Sequence, residues 1–110
     1  VIDPELSAES IRAKAEDYGK AKGDRVYLEE FRRSKKAMLM KDCLALGIEA
    51  ANAQEREALA DPEYHSLLKG LAAAVEKEET LKWELEAARL EIEIWRTKQA
   101  TERMVVRSHE

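Results

Sequence analysis

The chain has 110 residues, of which 38% are charged and 5% aromatic, with four Gly, two Pro, one Cys and a net charge of −4. That length bounds it to one domain, and Ala, Leu, Glu and Lys with so few breakers fit long helices and coiled coils, not a strand-rich or disulfide-stapled fold. A thin helical shape buries little surface against its chain entropy, so self-association is the expectation.

The charge is unevenly spread. Residues 20–41 hold eight basic and three acidic groups, residues 49–93 hold twelve acidic and five basic, and residues 94–110 return to a small positive excess. Such asymmetry guides partners or self-assembly. No apolar run reaches the length of a membrane span, and no signal peptide is visible. The simplest expectation is a cytoplasmic protein without membrane contact. Cys43, between Met40 and Leu44, reads as a small buried hydrophobe.

In chain order, Asp3-Pro4-Glu5-Leu6 is a helix start signal: Asp caps free amides, Pro suits the first helical position, and Glu suits the positive helix end. A short amphipathic helix is expected from Ser7 to about Tyr18, with Ile11 and Ala15 on one face, and residues 1–23 form this helix plus a linker. A central helix is expected from Asp24, just past Gly23. Gly47 offers a C-cap, but the following IEAANAQEREALA is strongly helix-forming, so the helix is expected to cover about 25–60. Asp61-Pro62-Glu63-Tyr64 repeats the start signal and opens a last helix over 62–105, interrupted only by Gly70 at a cost of about 1 kcal/mol. Residues 24–110 thus read as an antiparallel helical hairpin.

The last helix carries a coiled-coil register. Its seam steps by four and three through Leu67, Leu71, Ala74, Glu78, Leu81, Leu85, Ala88, Ile92, Trp95 and Gln99, with Glu78 and Gln99 as polar interruptions. A second stripe, Trp83, Ala87, Leu90 and Ile94, starts midway. A helix apolar on two faces needs more than one neighbour. The expected fold class is therefore all-α: a coiled-coil-like helical hairpin with a short N-terminal helix, assembling into a homo-oligomeric bundle or ring. Its expected interface is Leu81, Trp83, Leu85, Leu90, Ile92, Ile94 and Trp95.

No reacting constellation is visible. There is no Gly-rich phosphate loop, nucleophile elbow or Cys pair at metal spacing. His65 and His109 read as surface histidines. The carboxylates from Glu76 to Glu93 alternate with Lys77, Lys82 and Arg89 at spacings that suit ion pairs along a helix. No cofactor, no metal and no enzymatic activity are expected.

The stretch YLEEFRRSKKAMLMK, residues 27–41, is the candidate for recognition. Basic residues beside aromatics are the ingredients of single-strand binding, phosphate contacts plus base stacking. Glu29 and Glu30 are spaced to reach an Arg three or four residues on. Tyr27 and Phe31 share a helix face and read as packing against another helix or as a stacking platform. The expectation is that Phe31 is core and that Lys35 and Lys36 face nucleic acid. Trp83 and Trp95 read as core or subunit interface.

This layout, a helix with a Tyr and an SKK-type basic patch, a turn, then a long helix with an acidic-apolar start (Val75, Glu78, Glu79, Leu81) and a basic end (Ile92 to Arg96, then Arg103), resembles the UvsY-type recombination mediators of bacteriophages. It is also similar to small helical proteins that phages encode near their strand-annealing and recombinase genes. The resemblance covers roughly residues 27–103 and rests on layout and residue types; the chain is shorter and its middle more acidic than that pattern. It implies a ring-like homo-oligomer that binds single-stranded DNA without sequence preference and helps a recombinase displace single-strand-binding protein. Arg32, Arg33, Lys35, Lys36 and Lys41 would hold the phosphates, and the last helix would carry assembly. The alternative is a helical protein-binding module, a scaffold, adaptor or inhibitor, with no nucleic-acid contact.

Overall fold

The computed structural model describes residues 2–109; Val1 and Glu110 lie outside the described residues. The chain forms three helices, α1 (Pro4–Ala45), α2 (Ala51–Ala60) and α3 (Pro62–His109), and no strand among the described residues. Both Asp-Pro signals work as caps. The Asp3 Oδ1 accepts the Glu5 N–H at 2.9 Å and the Leu6 N–H at 3.4 Å, and the Asp61 Oδ1 accepts the Glu63 N–H at 2.8 Å. Each cap satisfies amides that the first turn leaves without an intrahelical partner.

Two expected boundaries move. Residues 1–23 do not end in a linker: Gly19 and Gly23 both lie inside the continuous α1. Both glycines are exposed, so each costs propensity alone, while Tyr18, Ala21 and Arg25 around them are covered by packing. The expected 25–60 helix is also two helices. Gly47 adopts φ 95°, its N–H donates to the Leu44 carbonyl at 3.0 Å, and the Ile48 N–H reaches back to the Cys43 carbonyl at 3.0 Å. These paired bonds from a left-handed glycine form a Schellman stop, which overrides the helix preference of the residues beyond it. The Gln54 side chain then donates to the Ile48 carbonyl at 2.7 Å, tying the loop to α2. At the other end, α3 continues past the expected 105 to His109, running through the exposed Gly70.

The chain divides into two compact units, residues 20–78 and residues 1–19 with 79–110. The first, here the turn unit, contains both interhelical turns. Arg25 pairs with Glu78 and Lys35 with Glu63, so α1 and α3 run antiparallel in it. Its core is Leu39, Ala58 and Tyr64, flanked by Met40 and Leu68; Ala21 and Leu71 are buried as well. Small residues at Ala21, Ala73 and Ala74 line a shallow groove beside Leu28 and Tyr27.

In the second, the terminal unit, the start of α1 and the end of α3 are the two helices present. Ile11, Lys14 and Tyr18 of α1 are half-buried, as are Leu81, Leu85, Ala88, Ile92, Trp95 and Gln99 of α3, and residues 100–109 are exposed throughout. The seam expected on α3 is thus covered at each of its positions from Leu67 to Gln99. The facing seam on α1, through Ile11, Lys14, Tyr18, Ala21, Arg25, Leu28, Phe31, Lys35 and Leu39, also proceeds by steps of three and four. Three cations interrupt it, which hides it from a search for apolar periodicity.

Candidate interaction surface

Polar seam positions answer one another across the turn unit. Glu78, 8% exposed, accepts two bonds from the Arg25 guanidinium, from Nε and from Nη2, the latter at 3.2 Å. Arg25 also donates to Glu29 at 3.0 Å, so Glu29 pairs backward along α1, not forward to Arg32 or Arg33. These hydrogen bonds, first to Glu78 and then to Glu29, hold the guanidinium charged more firmly than in a free arginine. A buried carboxylate tolerates its loss of water because both oxygens are bonded by a planar fork.

The expected basic patch is dispersed by the fold. Lys35 donates to Glu63 at 2.7 Å and Lys36 to Glu55 at 2.7 Å, and their side chains are 21% and 34% exposed. They tie α1 to α3 and to α2. The hydrogen bond to Glu63 raises the Lys35 pKa above its ordinary value. Arg32, Arg33 and Lys41 are exposed, but at about 100° per residue Arg32 and Lys41 point to opposite sides of α1. Nothing in the sequence spacing reveals this, because the acceptors Glu55 and Glu63 lie far along the chain. Phe31 is half-buried and Tyr27 is 65% exposed; their rings stack at 5.9 Å, 10° from parallel.

The seven residues expected at an interface fall on two opposite faces of α3. Leu81, Leu85, Ile92 and Trp95 belong to the covered seam. Trp83, Leu90 and Ile94 point outward, 63%, 55% and 55% exposed. The outward stripe is longer than the sequence reading found. Continuing its three-four steps gives Thr80, Trp83, Ala87, Leu90, Ile94, Thr97, Thr101, Met104 and Ser108, each exposed. Small polar residues conceal the extension, yet the hydroxyls beyond Ile94 are spent within the helix. Thr97 donates to the Glu93 carbonyl at 3.0 Å, Thr101 to the Thr97 carbonyl at 3.0 Å, and Ser108 to the Met104 carbonyl at 2.8 Å. A hydroxyl bonded back one turn needs no water or partner donor. Lys82 lies over the Trp83 ring, 5.5 Å from its centre, a cation–π contact on the stripe's edge.

Among the described residues, no group of three or more His, Cys, Asp or Glu is placed to hold a metal ion, and no helix is long and apolar enough to cross a membrane. His65 and His109 are exposed and Cys43 is half-buried. No family model matches the chain, and no curated protein or solved structure is similar to it.

Proposed function

We propose that the chain is a non-catalytic helical interaction module that works through the outward face of α3. One observation carries this reading: a second heptad stripe, with Trp83, Leu90 and Ile94 more than half exposed, on the side of the helix opposite its covered seam. Large apolar groups in that spacing are what a partner helix docks against, and exposing them in a row is unfavourable for a lone soluble chain.

The test compares the unmodified chain with Leu90→Glu/Ile94→Glu as baits for protein partners, its own copies included. The reading requires a protein that binds the first and not the second. Retention of the same partners by both baits, or binding of an oligo-thymidine strand with no protein bound, contradicts it.

A second reading is single-strand binding through α1, as the resemblance to recombination mediators implies. The observation in its favour is that Lys20, Tyr27, Ser34 and Lys41 recur every seven residues on one line of the helix, all exposed. Aromatic and basic groups in a row suit stacking and phosphate contact. That line leaves out Lys35 and Lys36, which are engaged in ion pairs with Glu63 and Glu55. Binding to oligo-thymidine that weakens steeply with salt, and is lost in Tyr27→Ala/Lys41→Glu, is the result this reading needs.

A further inference from the structure

The outward face of α3 has a composition that selects its occupant. Its large residues are Trp83, Leu90, Ile94 and Met104, and its small ones are Ala87, Thr97, Thr101 and Ser108. Reversing the order of the stripe sets one list against the other. When Ile94 of one helix meets Thr97 of an antiparallel copy, the same register places Leu90 against Thr101, Ala87 against Met104 and Trp83 against Ser108. Each layer then pairs a large side chain with a small one, the condition for even packing along a two-helix seam.

The flanking charges select the same direction. The first half of the stripe is bordered by Glu79, Glu84, Glu86, Glu91 and Glu93, the second half by Lys98 and Arg107. In the antiparallel register Glu91 faces Lys98 and Glu86 faces Arg107, each twice by symmetry. Glu86 bonds Arg89 at 3.2 Å through one oxygen and has the other to offer. A parallel pair would instead oppose Glu79 with Glu84 and Glu86 with Glu91, two repulsive contacts against the single attraction of Glu93 for Lys98.

The end of α3 supplies an independent reason. Residues 100–109 are helical yet exposed on every side, with Met104, Val105 and Val106 69%, 51% and 60% exposed. A bare stretch of that length is marginal as a helix by itself, since isolated helices need about 12–15 residues. In the register above, Thr101, Met104 and Ser108 of one copy lie against Leu90, Ala87 and Trp83 of the other.

We propose that the occupant of this face is a second copy of the same chain, docked antiparallel through residues 83–108 with Ile94 and Thr97 as the central layer. This rests on the reading of α3 as a docking face and names its partner and direction.

The experiment is sedimentation equilibrium of the full chain over roughly 1–100 µM, where an association of this kind shows its concentration dependence. The unmodified chain is expected to dimerise. Glu91→Lys and Lys98→Glu are each expected to weaken association by about ten-fold or more, since each sets like charges face to face twice. Mixing the two variants restores attraction at both contacts, so an equimolar mixture is expected to dimerise as well as the unmodified chain. A parallel dimer gives the opposite sign for Glu91→Lys, which would relieve the repulsion with Glu86, and that result overturns the proposed direction. A chain that stays monomeric throughout overturns the second copy as occupant. If such a monomer still binds another protein that Leu90→Glu/Ile94→Glu does not, the docking-face reading stands and only this inference fails; if it binds none, both fail.

Discussion

The turn unit and the terminal unit are built from the same two long helices and the same heptad spacing, yet only one of them has an interior. Ala21, Leu39, Ala58, Tyr64, Leu71 and Glu78, the six buried residues among those described, all lie in residues 20–78. The seam of the terminal unit is half-buried at best. One source of the difference is α2. In the turn unit it brings Ala58 to Leu39 and Tyr64, a third element added to the core, while Ala21, Leu71 and Glu78 are buried outside that cluster. The terminal unit has two helices, a seam between them and a second apolar stripe facing away. Its outward face is the one that the proposed second copy would cover.

Truncating the seam should sharpen this contrast most. Leu71→Ala in the turn unit is expected to cost about 2–4 kcal/mol in urea unfolding. Leu85→Ala, on the same seam but half-buried in the terminal unit, should cost about 1–2 kcal/mol. Equal losses would mean that the two units share one level of packing.

Removing the seam's ion pair is the next test. Glu78→Leu leaves Arg25 with Glu29 alone and is expected to lower the melting temperature clearly. The double variant Arg25→Leu/Glu78→Leu should recover most of the loss, because replacing both partners by apolar groups removes the uncompensated charge. A double variant as unstable as the single one would assign Glu78 a role other than pairing.

A pH series separates the lysine ties from the apolar seam. The folded Lys35 pKa lies above its ordinary 10.5 because Glu63 bonds the charged form. The stability due to this pair is therefore complete below about pH 10.5 and is lost as pH rises through the higher folded value. The difference in stability between the unmodified chain and Lys35→Met should be constant through neutral pH and shrink above that point. A difference that already shrinks near pH 8 would contradict the pairing.

The smallest effect is expected on the outward stripe. In dilute solution Leu90→Ala should change stability by less than about 0.5 kcal/mol, as at an ordinary surface site. A larger loss, measured where the chain is monomeric, would mean that this face is covered within the chain.

The sequence reveals the α3 seam because leucines and alanines hold the four-three spacing on both sides of Glu78, and it reveals the helix starts because Asp-Pro-Glu combines three independent preferences. It hides the partner seam on α1, where Lys14, Arg25 and Lys35 occupy half-buried positions and where Arg25 and Lys35 bond carboxylates distant in the chain. Gly19 and Gly23 read as a linker because propensity is local while the packing of Ala21 is not. Gly47 reads ambiguously for the same reason, its left-handed φ being the deciding fact. The candidate surface was legible as two stripes but not as two roles: spacing gives the angle between Leu85 and Leu90, and only the fold of α1 decides which of them is used.

Amide hydrogen exchange on residues 97–109 at high and at low protein concentration tests most directly whether the outward face of α3 is occupied by another copy. The account predicts slow exchange at about 100 µM that becomes fast at about 1 µM, as the bare end of the helix loses its partner on dilution. Exchange that is equally fast at both concentrations would contradict it.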